Sequence, residues 1–166
     1  MCKKQLVYDK LTALDIPFQT MEHPAVFTIE EMHALEFPPN ARIAKNLFLR
    51  DAKGKRHFLL VVDSEQSVNL KQLENVLNCT KLSFASEERL QKYLGLTKGS
   101  VTPFGLLNDT DNHVEVFFDK KLQESDSVGV HPNDNTATVL ITFDYLLKFI
   151  ETSGHQVQII DLACLA

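Results

Sequence analysis

The sequence predicts a single α/β domain of the α+β type, in which helices flank a mixed, mainly antiparallel sheet. Segments with helical and with strand periodicity are interspersed along the 166 residues, without the regular alternation of a doubly wound sheet. Candidate hairpins are as common as candidate crossovers. The length suffices for one hydrophobic core and is too short for two full-sized ones, so we expect one domain over 1–166.

Elements of the N-terminal half are indicated by periodicity and by terminating residues. Apolar residues at helical spacing, ended by Pro17, predict the first helix. A Thr-x-x-Glu capping box predicts the start of the second helix, and two β-rich runs around DAKGK predict a central hairpin. In order, these are a helix over 3–14, a strand over 18–22, a helix over 28–35 and strands over 46–50 and 57–62.

Elements of the C-terminal half follow from the same signals. Ser86 can cap a helix whose left-handed stop is Gly95, and Gly154 ends the last helix. The turn PNDN precedes a β-forming run, and a final run alternates like a strand. In order, we predict a helix from about 69, a strand over 81–84, a helix up to 94, a loop over 97–103, strands over 114–118 and 136–142, a helix from 143 and a strand over 156–160.

The composition excludes several classes of protein. Apolar residues make up 44% and charged residues 23%, as in folded soluble domains, and no stretch approaches the ~18 apolar residues of a membrane span. Three widely spaced cysteines, Cys2, Cys79 and Cys164, favour unpaired thiols over a disulfide framework. The net charge of −5 argues against nonspecific nucleic-acid binding. Basic residues nevertheless concentrate between Arg42 and Arg56, either as a local binding surface or as a solvated hairpin.

The common catalytic signatures are absent from the sequence. It contains no Gly-x-Ser-x-Gly elbow, phosphate-binding Gly-rich loop, His-Glu-x-x-His or paired-Cys motif. Its six histidines are scattered, and none has the spacing of a recognised metal site. We therefore expect neither a metal nor another cofactor.

Three local features could meet a ligand. Lys45 precedes a strand with buried character, where an ammonium can bind a phosphate or carboxylate. Gly99 and Pro103 bound a loop that could aim backbone amides at an oxyanion. His131 lies beside a turn and could bond a ligand or Asp134. Taken singly, each favours a structural role: a solvated lysine, an ordinary turn and a histidine bonded within the protein.

The order of three short motifs changes that interpretation. The chain carries KNLFL at 45–49, GSVTPFG at 99–105 and HPNDNT at 131–136, with EHP at 22–24, VFT at 26–28 and DYL at 144–146 around them. Together they resemble the YbaK-like aminoacyl-tRNA deacylases, a superfamily that includes the editing insertion of prolyl-tRNA synthetase. The resemblance spans nearly the whole chain and is greatest to the free-standing Ala-tRNA(Pro) deacylases.

The resemblance implies hydrolysis of the ester that joins a wrong amino acid to the terminal adenosine of tRNA, without a metal or a covalent enzyme intermediate. It implies that Lys45 and Asn46 hold the terminal phosphate or ribose. The backbone around Gly99 would cradle the ester and water, and His131 would contact the aminoacyl end or ribose. The tRNA 2′-hydroxyl would orient or activate the water. The expected catalytic residues are Lys45, Gly99 and His131, and the expected substrate-binding residues are Asn46, Phe27, Ile29, Leu47, Ser100, Val101, Thr102, Pro103 and Gly129.

Size selection would explain why a second site is needed. A pocket built for proline cannot strongly exclude alanine, because each missing methylene forfeits only ~1–3 kcal/mol. A smaller editing pocket can reject proline by volume. Phe27 and Ile29, together with Leu47 or the segment after Gly129, are the expected walls, although alternation alone does not give their direction.

Alternative functions remain open from the sequence. A related deacylase could act on tRNA charged with cysteine, serine or threonine, since pocket volume decides between them. A non-catalytic module could dock tRNA or a synthetase through the same basic segment and loop. The expected partners are aminoacyl-tRNA, first of all tRNA(Pro), and prolyl-tRNA synthetase. We expect a cytoplasmic monomer without membrane contact.

Overall fold

The computed structural model describes residues 3–165, with side chains up to residue 163. Cys79 is a free thiol, whereas Cys2 and the side chain of Cys164 lie outside the described part, so their predicted unpaired state stays a prediction. None of the helices within 3–165 combines the length and the apolar character needed to cross a bilayer.

Five α-helices, eight strands and three 3₁₀ helices are present over residues 3–165. The helices are α1 Lys3–Ala13, α2 Ile29–His33, α3 Leu70–Leu77, α4 Glu87–Leu94 and α5 Phe143–Thr152. The strands are β1 Gln19–Glu22, β2 Ala41–Arg50, β3 His57–Asp63, β4 Ser83–Phe84, β5 Val114–Asp119, β6 Ser127–Val130, β7 Ala137–Ile141 and β8 Val157–Ile160. The 3₁₀ helices are Pro103–Asn108, Lys120–Glu124 and Leu162–Leu165.

All eight strands form one mixed sheet. Its order is β1-β7-β6-β2-β3-β5-β8, with β4 paired to β2 off this path. The pairings β1–β7, β2–β3, β2–β4 and β6–β7 are antiparallel, and β2–β6, β3–β5 and β5–β8 are parallel. The predicted α+β class with a mixed, mainly antiparallel sheet is confirmed, as is the central β2–β3 hairpin.

The core occupies both faces of this sheet. Strand β3 is buried along its whole length, which is expected for a strand with neighbours on both edges and packing on both faces. One apolar cluster joins α1, α4 and α5 to the sheet through side chains such as Leu11, Leu94 and Phe149. A second cluster packs α3 against the opposite face through Leu73 and Leu77.

The caps of α4 form as predicted, whereas one bond of the predicted capping box at α2 has a different donor. The Ser86 hydroxyl accepts from the Arg89 amide, and Gly95 adopts φ of 65°, so both predicted ends of α4 are confirmed. At α2, Thr28 accepts from the Glu31 amide, but the Glu31 carboxylate accepts from Phe27 N rather than from Thr28 N. The bond from Phe27 N to the Glu31 carboxylate therefore fixes the segment that precedes the helix.

Strand β2 is longer than the sequence predicts, and its added part positions the site. It starts at Ala41 rather than at residue 46. Residues 41–43 pair with β6, while Leu49 and Arg50 pair with β4 on the same edge, opposite β3. Within the described chain, residues 44–47 have no strand neighbour on that edge. The sheet is therefore open at the middle of β2.

Candidate active site

A cavity lies at this opening in the sheet. Its volume is about 360 Å³, near the lower end of the range for small-molecule sites. Five parts of the chain enclose it: the segment around α2, the middle of β2, β4, the loop before the first 3₁₀ helix and the end of β6. The lining residues are Val26, Phe27, Thr28, Ile29, Met32, Ala44, Lys45, Asn46, Phe84, Lys98, Gly99, Val101, Gly129, Val130 and His131.

Lys45 and Asn46 line the cavity from the unpaired stretch of β2. The Lys45 ammonium donates to the Gln66 carbonyl at 2.8 Å, which leaves two of its three N–H donors for a ligand. The Asn46 side-chain oxygen is buried and has no hydrogen-bond partner within the described chain. A buried amide oxygen without a partner is costly, so this atom is a candidate acceptor for a donor on a bound molecule.

Gly99 brings a loop close to the segment before α2. Its φ of 90° lies in the region that favours glycine, and a Cβ there would stand 2.9 Å from Phe27 Cδ1. The backbone of this loop therefore approaches the cavity and Phe27 closely. Gly129 lines the cavity from β6, where a Cβ would stand 2.6 Å from Ile43 Cδ1.

The rest of the predicted loop has a supporting role. Val101 lines the cavity, but Ser100, Thr102 and Pro103 do not. Thr102 is fully buried and its hydroxyl donates to the His131 carbonyl. The side chain also accepts from the Phe104 amide at the start of the 3₁₀ helix. Thr102 thus joins the loop to the segment that carries His131.

His131 presents one ring nitrogen to the protein backbone. Its Nδ1 lies 2.9 Å from the Ala137 carbonyl oxygen, so in the neutral ring Nδ1 carries the proton and Nε2 is the acceptor. Burial lowers the pKa of His131 below its ordinary value of 6.5, against the opposing effect of the Ala137 carbonyl. The ring is therefore neutral at pH 7. Asp134, considered from the sequence as its partner, instead accepts from Thr136.

The predicted walls differ in position. Ile29 lines the cavity and is half-buried, whereas Phe27 lines it with 67% of its surface exposed. The prediction for Leu47 is wrong, because its side chain packs with the apolar cluster on the α3 face of the sheet. The pleat alone does not explain this difference, because Lys45 has the same parity along β2 and lines the cavity.

Several lining residues were not predicted. Four buried apolar residues form what we call the floor of the cavity: Val26, Met32, Ala44 and Val130. Two exposed residues, Lys98 and Phe84, also line it. Of these, Val130 belongs to the segment after Gly129 that was one of the expected walls, and the VFT motif at 26–28 could have indicated Val26. Phe84 reaches the cavity only because β4 pairs with β2, which no local pattern predicts.

The basic segment between Arg42 and Arg56 is largely engaged within the protein. Arg42 pairs with buried Asp63 at 2.5 Å and with Glu124 at 3.6 Å. Arg56 pairs with Glu115, and this carboxylate raises the pKa of Arg56 above its ordinary value. These ion pairs neutralise Arg42 and Arg56, two of the six basic residues between positions 42 and 56, so the segment is not a continuous free basic surface.

The chemistry available in the cavity follows from its lining. The charged lining residues are Lys45 and Lys98, and the described lining contains no carboxylate. His131 is neutral, and no group of three His, Cys, Asp or Glu side chains within the described residues is placed to hold a metal ion. Such a site can bind an anionic molecule and position water by hydrogen bonds. It offers no carboxylate base and no side-chain hydroxyl activated by a neighbouring histidine.

Proteins with related sequences match most of this chain. The prolyl-tRNA editing protein ProX of Acetoanaerobium sticklandii is 51% identical over 162 residues, covering 98% of this chain and 99% of that protein. The prolyl-tRNA synthetase associated domain-containing protein 1 of Danio rerio is 36% identical over 147 residues, covering 87% and 79%.

Comparison with solved structures supports the fold. The structure described as a putative trans-editing enzyme for prolyl tRNA synthetase superposes with a TM-score of 0.70 at 21% identity, over 97% of this chain and 96% of that one. At this identity the likeness shows the fold alone. Residues 23–149 match the aminoacyl-tRNA editing domain family. On the extent of this match and the identity to the relatives, the chain belongs to the aminoacyl-tRNA editing domain family.

Proposed function

We propose that this protein is a trans-editing deacylase that hydrolyses mischarged tRNA(Pro), with Ala-tRNA(Pro) as its substrate. The observation that carries the proposal is the cavity at the opening of β2, which combines an apolar floor, a neutral imidazole and a lysine. The name of the 51% identical relative, a prolyl-tRNA editing protein, supports the choice of tRNA. Family membership supports the class of reaction.

The proposed reaction needs few ionisable groups because an aminoacyl ester is already activated. A water oxygen attacks the ester carbonyl, the bond from this carbon to the ribose oxygen breaks, and the ribose oxygen takes up a proton. The products are the free amino acid and uncharged tRNA. Donors that are aimed at the developing oxyanion, and a water held in place, supply most of the rate enhancement. The tRNA 2′-hydroxyl orients or activates that water in this proposal.

The three predicted catalytic residues and Asn46 each receive a role that the geometry allows. Lys45 uses its remaining N–H donors on the terminal phosphate or ribose, and Asn46 Oδ1 accepts from the same end of the substrate. The backbone at Gly99 contacts the ester and the water. His131 Nε2 accepts from the aminoacyl end or a ribose hydroxyl, since Nδ1 is held by Ala137.

The floor of the cavity gives the proposed selectivity. Its four buried apolar side chains and half-buried Ile29 suit a methyl group. The proline ring adds methylenes, and overpacking a closely packed site costs roughly 1–3 kcal/mol. Alanine is therefore hydrolysed and correctly charged Pro-tRNA(Pro) is spared. The chain acts in this proposal as one cytoplasmic domain and as a monomer, with prolyl-tRNA synthetase as a partner, in line with the name of the Danio rerio relative.

A panel of aminoacylated tRNA(Pro) tests this proposal. The purified chain is incubated with tRNA(Pro) carrying alanine, cysteine, serine or proline, with and without a chelator, and release of the amino acid is measured. The proposal expects rapid loss of alanine that the chelator does not change. Faster release of cysteine or serine would assign another substrate. Binding of tRNA without release of any amino acid would make the chain a docking module.

A further inference from the structure

The two most exposed large apolar side chains of the described chain both line the cavity. They are Phe27, 67% exposed, and Phe84, 62% exposed. Other exposed large apolar residues, such as Tyr145, lie elsewhere. Single exposed apolar residues are ordinary at protein surfaces. Two exposed aromatic rings at one opening suit a ligand that enters the cavity and also presents a flat face to these rings.

The sheet holds Phe84 at this opening. Strand β4 pairs Phe84 with Leu49 and Ser83 with Arg50 of β2. The Ala85 amide donates to the Phe48 carbonyl at 2.9 Å. The backbone on both sides of Phe84 is thus fixed while its ring remains accessible. Because the backbone is already fixed, only side-chain freedom is lost when a flat ligand stacks on the ring.

The charges around the cavity favour an anionic ligand. Lys98 is exposed and has no hydrogen bond or ion pair with any part of the described chain, and Lys45 is the other charged lining residue. No acidic side chain of the described residues lines the cavity, although the whole chain has a net charge of −5. An aromatic ring and an unpaired lysine that line the same cavity match a nucleotide, which offers a flat base and a phosphate.

We propose that Phe84 is the stacking platform for an unpaired base at the 3′ end of the bound tRNA, with Lys98 beside the adjoining phosphate. This inference rests on the proposed function and names the part of the substrate that lies outside the cavity. A volume of about 360 Å³ accommodates the aminoacyl ester end, so the bases remain at the opening. Unpaired RNA bases stack on aromatic side chains, whatever their sequence.

Steady-state kinetics with Ala-tRNA(Pro) test the stack. A base–aromatic stack contributes about 5- to 150-fold to affinity. We therefore expect Phe84→Ala and Phe84→Leu to raise KM by this factor while kcat stays within about twofold of the parent. Phe84→Trp should retain the parental KM, because it keeps a planar ring. Tyr145→Ala is the matched control, since it removes an exposed aromatic ring away from the cavity and should leave KM unchanged.

A binding measurement separates this inference from the hydrolytic activity. Uncharged tRNA(Pro), intact or trimmed of its unpaired 3′ nucleotides, is titrated into folded parent and Phe84→Ala protein. Trimming also removes the contacts of Lys45 with the 3′ end, so it should weaken binding to both proteins, and by about 5- to 150-fold more for the parent than for the variant. An equal loss for both proteins, or an unchanged KM in Phe84→Ala, would overturn the stack. Phe84-dependent competition by an acidic peptide, with no effect of trimming, would assign the opening to a protein partner and also overturn it.

The two proposals fail in different ways. If the parent releases no amino acid but shows Phe84-dependent loss of affinity on trimming, the deacylase proposal fails and the base contact stands. If the parent hydrolyses Ala-tRNA(Pro) and Phe84→Ala matches it in both measurements, only the stacking inference fails. A parent that neither hydrolyses nor binds tRNA(Pro) overturns both.

Discussion

Two of the predicted polar side chains of the cavity, Lys45 and His131, are each held by a backbone carbonyl from another part of the chain. Lys45 donates to Gln66, and His131 Nδ1 bonds Ala137. Each contact removes rotamer freedom before substrate arrives and leaves a defined donor or acceptor for it. The residues therefore act as preset hydrogen-bonding groups, in contrast to exposed lysine and histidine side chains that must be ordered on binding.

Replacement of Lys45 should weaken catalysis more than folding. A hydrogen bond from a charged group contributes about 1.5–3 kcal/mol, so Lys45→Ala should lower kcat/KM for Ala-tRNA(Pro) about 10- to 150-fold. The lost bond to one backbone carbonyl should change thermal stability little. Lys55→Ala, an exposed lysine in the β2–β3 turn, is the control. Parental kcat/KM in Lys45→Ala at subsaturating tRNA would remove Lys45 from the site.

His131 should give an acid limb to the pH–rate profile. Its pKa is lowered by burial, so the ring stays neutral down to a pH below 6.5 and Nε2 remains an acceptor. Protonation converts Nε2 to a donor, and kcat/KM should fall with a midpoint below 6.5. His131→Gln should reduce kcat/KM about 2- to 10-fold, the equivalent of one neutral hydrogen bond, and should remove this limb. A limb of the same midpoint in the variant would assign it to another group.

The position of the cavity depends on how the strands pair along one edge of β2, where part of the edge has no strand neighbour in the described chain. Strands β6 and β4 cover the two ends of one β2 edge and leave residues 44–47 open. Backbone groups at such an edge need partners, and a substrate can supply them. The loop with Gly99 and the segment with His131 close over the gap from different parts of the chain, joined by Thr102.

Loss of the Thr102 hydroxyl should therefore disturb His131 without touching substrate. Thr102→Val keeps the shape but leaves the His131 carbonyl without its donor, at a cost of about 1–2 kcal/mol. For a chain of this length, this lowers Tm by about 2–8 °C. The kcat for Ala-tRNA(Pro) should fall, while Thr102→Ser should retain it. If Thr102→Val loses stability but keeps the parental kcat, the link has no functional role.

The elements and the site differ in how far the sequence predicts them. The ends of α4 are set by Ser86 and Gly95 through bonds within one turn, and so they are readable locally. The start of β2 was missed because Ala41 and Arg42 depend on pairing with distant β6. Leu47 was assigned to the wrong face because alternation gives a period without a direction. Phe84 could not be predicted, since its place depends on a two-residue strand pairing.

The stability of the whole domain also involves a buried histidine at the start of β3, paired with Arg50 at the end of β2. His57 is fully buried, with Nδ1 3.2 Å from His113 Nε2 and Nε2 3.1 Å from an Arg89 nitrogen. Because Arg89 only donates, His57 Nε2 accepts and the ring is neutral. Burial, followed by the His113 and Arg89 charges, lowers the pKa of His57 to about 4.

This histidine should make the fold sensitive to acid. The unfolded chain, with a pKa of 6.5, binds more protons than the folded one between pH 6.5 and about 4. The contribution of neutral His57 to the free energy of unfolding is therefore fully present above pH 6.5. It decreases as the pH falls through this window, by at most about 3 kcal/mol. Urea denaturation at pH 7 and pH 4.5 should show this loss. His57→Gln should reduce the difference between the two pH values, and His33→Gln, at an exposed histidine, should not. An equal difference in all three proteins would contradict the assignment.

The proposed size selection is tested by the ratio of kcat/KM for Ala-tRNA(Pro) to that for Pro-tRNA(Pro), measured with the purified chain. If the cavity separates the two amino acids by volume, overpacking by the proline ring predicts a ratio of about 5 to 150. Ile29→Ala, which removes a half-buried wall, should bring the ratio closer to one by increasing hydrolysis of Pro-tRNA(Pro). A ratio of one or less for the parent would contradict selection by volume, because the cavity would then not protect correctly charged tRNA.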